Sequence, residues 1–206
     1  MKYDSHKGFT LIELLVVIAI VAVLSVVVIL TLNPAELLRQ ARDSNRISDM
    51  ATIRSALSLY LADVGTPNLA SSTISAEGYN RCYVTFATNS ACNSIGFNTF
   101  TTVAGLPSTS TNSGAATSTA INASGWLPVN FTLISSGAPL GNLPLDPTNN
   151  GNYFYSYAAT STNLSFKLVA EGMESTKYGV GGANNVVSND GGTRASSYEV
   201  GTNLNL

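Results

Sequence analysis

The chain has 206 residues, 45% of them hydrophobic and only 11% charged, with a formal net charge of −2 at pH 7. A chain so poor in charge has no basic field to attract nucleic acid, so no specific nucleic-acid partner is evident. The only histidine is His6 and the only cysteines are Cys82 and Cys92. No Ser/His/Asp or Cys/His constellation is available beyond the first residues, and two cysteines without histidine are an incomplete metal set. The composition points to a structural or binding protein and away from an enzyme.

The first element is an N-terminal apolar run. Lys7-Gly8-Phe9-Thr10-Leu11-Ile12-Glu13 leads into residues 14–32, where only Ser25 and Thr31 are polar. As a helix this run spans roughly 28 Å at ~1.5 Å per residue, which matches a hydrocarbon core of about 30 Å. A secretory signal has a shorter apolar region, about 7–15 residues, followed by a small-residue cleavage site. Thr31-Leu32-Asn33-Pro34 is a poor site of that kind. An ordinary signal peptide and an uncleaved membrane anchor are the competing readings. Glu13 lies near the edge of the span, where a carboxylate costs less than the ~2.5–3.5 kcal/mol of the bilayer centre. A glutamate solvated at the interface is therefore the plain account of it.

Basic leader, glycine, phenylalanine, offset glutamate and long apolar run occur in an order that closely resembles the class III signal of type IV prepilins and type II secretion pseudopilins. The resemblance implies a leader of residues 1–8, cut by a membrane prepilin peptidase between Gly8 and Phe9, with methylation of the new Phe9 amine. It also implies a role for Glu13. The Phe9 amine, with a reference pKa near 8, is largely protonated at neutral pH, and Glu13 of one subunit would neutralise it on a neighbour. Orientation is a point of conflict. Lys2 and Lys7 precede the span while Arg39, Arg42, Arg46 and Arg54 follow it, and a count of basic residues would put the C-terminal side in the cytoplasm. The resemblance implies an N-terminus inside, and it is the more specific signal.

Next, Asn33-Pro34-Ala35-Glu36 reads as a helix restart, with Asn33 as N-cap, Pro34 in the first turn and Glu36 three residues after the cap. A continuous helix kinked at Pro34 is the alternative. Met50, Ile53, Leu57, Tyr60 and Val64 recur at steps of 3, 4, 3 and 4, an amphipathic stripe on which a globular head should pack. Arg39/Asp43 and Arg46/Asp49 are spaced for pairs within the helix. Plain solvation and charge complementarity between subunits both fit that charged face. As helix, residues 9–64 extend roughly 84 Å, ending at Gly65-Thr66-Pro67.

The segment from Gln40 to Tyr60 is similar to the corresponding helix of major pseudopilin-like proteins. Leu143-Pro144-Leu145-Asp146-Pro147 resembles the Pro-x-Asp-Pro turn before their β-sheet. Leu164, Phe166, Leu168 and Ala170 alternate with Ser165, Lys167 and Val169, which predicts a strand with its first face on the helix. Tyr153-Phe154-Tyr155-Ser156-Tyr157 is β-prone and should form a hairpin with it across residues 158–163, its tyrosines packing in the sheet. Residues 126–134 offer a third strand, placed at an edge by Pro128. Residues 99–125 have the Ser/Thr/Ala/Asn/Gly composition of a surface loop or shallow insertion, open to glycosylation.

Cys82 and Cys92 should form a disulfide in an exported head, worth about 2.7 kcal/mol on the chain-entropy model; two buried thiols are the alternative. The Gly/Asn/Ser-rich tail lacks the Asp-x-Asp-x-Asp-Gly spacing of a strong calcium loop. Major pseudopilins often bind calcium in a C-terminal loop, and by that resemblance Asp190 and Glu199 are candidate ligands; an Asn/Asp-Gly turn without an ion is the favoured reading. No cofactor is otherwise implied.

The expected fold class is α+β: a long N-terminal α-helix, membrane-spanning in its first half, packed on a small antiparallel β-sheet head, which is the pilin fold. Its divisions are the leader at 1–8, the membrane or filament-core helix at 9–32 and the amphipathic helix at 33–64. A variable loop-rich head follows at 65–142, then a β-sheet and C-terminal loop at 143–206. The implied role is a structural subunit of a type IV pilus-like filament. It would span the cytoplasmic membrane once and then enter an extracytoplasmic filament. Its partners would be its own copies, the prepilin peptidase/methyltransferase, an inner-membrane assembly platform, minor pilins and, before assembly, lipid. A pseudopilin forming the piston of a secretion machine and a non-assembling membrane-anchored binding domain are the alternatives.

Overall fold

A computed structural model describes residues 8–69, 82–86, 117–160 and 163–206, apart from the side chain of Leu30. The chain divides into two compact units, Met1–Leu38 and Arg39–Leu206.

In the first unit, helix α1 runs over Leu11–Leu32. Residues Leu11–Ile29 are long and apolar enough to cross a membrane, with a mean hydropathy of 3.2, and none of that span is buried within the chain. The two hydroxyls in the run turn back on the helix itself. Ser25 Oγ donates to the Val21 carbonyl at 2.7 Å, and Thr31 Oγ1 reaches the Val27 and Val28 carbonyls at 3.0 Å. An apolar surrounding thus meets no unsatisfied hydroxyl, which is what hydrocarbon demands of a helix.

Asn33 ends α1 in a left-handed conformation, φ 41° and ψ 71°, which asparagine tolerates better than most residues. Helix α2 (Pro34–Asp63) then begins at the proline, where a missing N–H costs nothing. The Glu36 N–H donates to the Asn33 carbonyl at 3.0 Å and to Asn33 Oδ1 at 3.4 Å. The helix therefore restarts at Asn33, and the continuous helix kinked through Pro34 is set aside.

In the second unit, Met50, Ile53, Leu57 and Tyr60 are buried along one face of α2, as the stripe predicts, and Val64 packs against them just past the helix end. They share one core with the inner face of a four-stranded antiparallel sheet of order β1-β2-β3-β4. Its strands are β1 (Cys82–Val84), β2 (Phe154–Thr160), β3 (Ser165–Glu171) and β4 (Tyr198–Gly201). The register sets Tyr155 opposite Ala170, Tyr157 opposite Leu168, and Leu168 opposite Val200, all on the core face. Burying each large side chain of this kind stabilises by about 1.5–3 kcal/mol. The tyrosines are packing elements with partnered tips: Tyr157 donates to the Leu69 carbonyl at 2.8 Å and Tyr155 to Asp49 Oδ2 at 2.7 Å.

The β2–β3 hairpin occurs as read, but β2 continues through Ala158, Ala159 and Thr160, which the sequence reading gave to the connection. Three further points correct it. Residues 126–134 are no strand: Gly125, Trp126, Leu127, Pro128 and Val129 are buried in succession without alternation. A single bridge joins Asn122 and Asn130, and a 3-10 turn, Phe131–Leu133, follows. Asn130 Oδ1 accepts the Thr132 N–H at 3.1 Å, a local cap that draws the chain out of extension. Second, the sheet is not confined to residues 143–206, because β1 lies at Cys82–Val84. Third, β3 has no solvent face. Lys167 and Val169 are as buried as Phe166 and Leu168, and Val169 joins Cys82, Val84, Phe154 and Ala158 in a second apolar cluster.

Candidate functional site

The N-terminal end of α1 gathers the residues singled out from the sequence. Gly8 is exposed, and a Cβ built on it would meet nothing within 4 Å. The fold itself therefore does not require glycine at this position. Phe9 is 85% exposed, and the helix starts two residues later at Leu11. Thr10 and Glu13 form a capping box, which the charge of Glu13 alone does not predict but the spacing Thr-x-x-Glu before an apolar run does. The Glu13 N–H donates to Thr10 Oγ1 at 3.3 Å. Glu13 Oε2 in turn accepts from the Thr10 N–H at 2.8 Å and from Thr10 Oγ1 at 2.7 Å. The carboxylate is thereby held at the exposed first turn, where the positive end of the helix dipole favours it. From there it can accept a further cation.

The second cluster lies in the head, around Arg46. Its guanidinium is fully buried and bonds Asp43 Oδ1 at 2.7 Å, Asp146 at 2.7 and 3.0 Å, Glu174 Oε1 at 2.7 Å and Thr148 Oγ1 at 3.0 Å. The Tyr153 ring stacks below it at 4.9 Å. Arg42 adds a second guanidinium to Glu174, and Asp43 accepts the N–H groups of Glu174 and Ser175. Burial works to lower the Arg46 pKa, but the hydrogen bonds to Asp146 and Glu174 outweigh it and the pKa is raised. The hydrogen bond with Arg42, joined by Arg46 and Thr148 and opposed by burial, holds Glu174 down to about 2. This hub corrects the pairing expected along α2. Arg46 bonds Asp43, one turn back, and acids far along the chain; Asp49 instead accepts from Tyr155. Nor is the charged face one of plain solvation, since Asp43 and Arg46 are enclosed.

The third cluster contains Asp190 and Glu199, which the structure does bring together. Asp190 accepts the Gly192 N–H at 2.8 Å and the Glu199 N–H at 2.7 Å. Glu199 Oε2 accepts the N–H groups of Thr193 and Arg194, while Oε1 lies 2.6 Å from Lys167 Nζ. Three of these four oxygens accept protein N–H groups and the fourth, Glu199 Oε1, lies in the ion pair with Lys167; no group of three or more His, Cys, Asp or Glu fit to hold a metal occurs among the described residues. Beside them Arg194 and Ser197 Oγ bond Glu171, whose pKa burial lifts above the usual carboxylate range. Lys167, which alternates with the core-facing residues of β3, stands opposite Gly201 of β4 and is fully buried.

Cys82 is fully buried in β1; Cys92 lies outside the described residues, as do residues 99–116 of the predicted surface loop. No curated protein matches the chain, and no solved structure does. Residues 4–29 match the family model of the prokaryotic N-terminal methylation motif. That motif, which is the class III prepilin signal, lies on a long apolar helix followed along the chain by an antiparallel four-stranded sheet, an α+β arrangement consistent with the fold of pilins.

Proposed function

We propose that the chain is a structural subunit of a type IV pilus-like filament. A prepilin peptidase removes residues 1–8, the Phe9 amine is methylated, and subunits polymerise by packing α1 against the α1 of their neighbours. The observation that carries this reading is the methylation motif on helix α1, whose apolar span is unburied within the chain, while the second unit has a closed core of its own. Such a surface is stable in lipid or against copies of itself and nowhere in water. The subunit waits in the cytoplasmic membrane with its N-terminus inside, surrounded by lipid. An inner-membrane platform and minor pilins then draw it into an extracytoplasmic filament. Glu13 neutralises the Phe9 amine of the next subunit. Cys82 pairs with Cys92 in the exported head, a reading supported by the lack of any free cysteine among the described residues.

A pseudopilus is the second reading, favoured by the Arg46–Asp146 bond, which joins the two segments that look pseudopilin-like. Long fibres sheared from cells support the pilus; fibres seen only on overexpression support the pseudopilus. Processing is tested by mass spectrometry of the native N-terminus, which should begin at N-methylated Phe9. Because the fold leaves Gly8 unconstrained, Gly8→Val should block cleavage without disturbing the head. A native protein beginning at Met1, or cut after residue 25, would overturn the proposal.

A further inference from the structure

The ammonium of Lys167 is fully enclosed, and its surroundings are oxygen from three separate stretches of chain. Glu199 Oε1 on β4 is 2.6 Å away, Thr193 Oγ1 in the preceding turn 3.2 Å, and the Leu206 carbonyl at the far end of the tail 3.3 Å. A lysine ammonium carries three donors on a compact point charge. The contact with Glu199 Oε1 is that of an ion pair without hydrogen-bond alignment. The other oxygen of the same carboxylate fastens the Thr193 and Arg194 amides, and the Glu199 amide is fastened by Asp190. Lys167 itself is anchored in β3, paired with both β2 and β4. The turn closes so tightly on this carboxylate that a Cβ at Gly192 would lie 1.6 Å from Glu199 Oε2. A positive centre thus gathers oxygens from a strand, a turn and a tail. A bound metal ion does this in other loops, by drawing hard oxygen ligands around one charge.

We infer that Lys167 is a tethered cation: its ammonium, delivered from the central strand β3, organises the segment of residues 190–206, which therefore folds without a divalent ion. The charge that a free ion would bring at a concentration-dependent cost is covalently attached and always present. Removing it leaves Glu199 buried and uncompensated, which is the costly way to break an enclosed pair.

The test uses the purified full-length chain in detergent. The thermal midpoint of the head should be the same in excess EDTA and in excess calcium. Lys167→Met, which keeps the stem and deletes the charge, should lower that midpoint by about 10 °C and speed amide exchange at Thr193, Arg194 and Glu199 ahead of the β2–β3 pairs. Adding Glu199→Gln to Lys167→Met should recover much of the loss, since the stranded charge goes with it. A wild-type midpoint that rises with calcium would overturn the inference. So would a Lys167→Met protein as stable as wild type. If Lys167→Met fails to fold, the EDTA and calcium comparison on the wild type still decides, together with folding of the double variant.

Discussion

Along α1 the apolar side chains face outward and the single carboxylate stands at the first turn; in the head the apolar side chains face inward, and Asp43, Arg46, Lys167 and Glu199 are enclosed with them. The same residue chemistry thus occupies opposite places. The helix keeps its charge where another molecule can reach it, and the head encloses these four with partners from its own chain. A carboxylate held open by a neighbouring threonine remains available for association. A carboxylate saturated by an arginine and two amides serves cohesion alone. On the proposed assembly, the difference separates a residue that acts between subunits from residues that act within one.

The sharpest way to break that division is at Glu13. Glu13→Ala removes the carboxylate from the membrane span, so insertion should be as good or better. The Phe9 amine of a neighbour then has no counter-charge in an apolar filament core, so filament yield should collapse while membrane levels hold. Glu13→Gln should be nearly as damaging, because it keeps shape and loses charge. Quantifying sheared filaments against membrane-bound subunit checks this; normal assembly of both processed variants would reduce Glu13 to a cap.

The opposite experiment is Arg46→Met. It strands Asp43 and Asp146 and leaves Glu174 with Arg42 as its only arginine, and loss of one partner from a buried ion cluster costs about 3–5 kcal/mol. The head should unfold at lower denaturant, followed by fluorescence of the sole tryptophan, the buried Trp126, while membrane insertion through α1 is unchanged. A smaller loss is expected for Cys82→Ser, roughly 2–3 kcal/mol if the bridge to Cys92 forms. Non-reduced peptide mapping should recover the linked pair, and free thiols in exported protein would refute it. Filaments should survive this change, since Cys82 belongs to the head.

The gentlest perturbation is acid. The folded pKa of Glu174 lies below its ordinary value of 4.5, at about 2. The stability it contributes is therefore fully present above that ordinary value and is lost as pH falls from about 4.5 towards 2. Arg42→Gln removes its strongest hydrogen-bond partner, so acid unfolding, read by Trp126 fluorescence, should begin at higher pH than in wild type.

What the sequence disclosed about these two regions differs for a physical reason. The start of α1, the break at Asn33, the stripe on α2 and the β2–β3 hairpin are governed by neighbours a few residues apart, and periodicity records them. The Arg46 hub is not: its acids at 146 and 174 lie 100 and 128 residues away, so spacing along α2 could offer Arg46 only Asp43 and Asp49. β1 and β4, of three and four residues, are too short to show alternation. Lys167 obeys the alternation of β3 and is still enclosed, because the tail folds over a face that a lone strand would leave to water. Thr10 is legible by its spacing from Glu13, a capping-box signature that the charge of the glutamate alone does not reveal.

Inheritance acts differently on the two regions. Along Leu11–Ile29, Val, Ile and Leu can replace one another singly, because each meets only an apolar surrounding. At the hub no single step is neutral: losing Arg46 strands Asp43 and Asp146, and losing Asp146 leaves an arginine short of two bonds. Positions 43, 46, 146 and 174 are therefore expected to change together or not at all among natural relatives. In a collection of such sequences this quartet would stand out as a correlated set, linking segments of the chain that no local pattern connects.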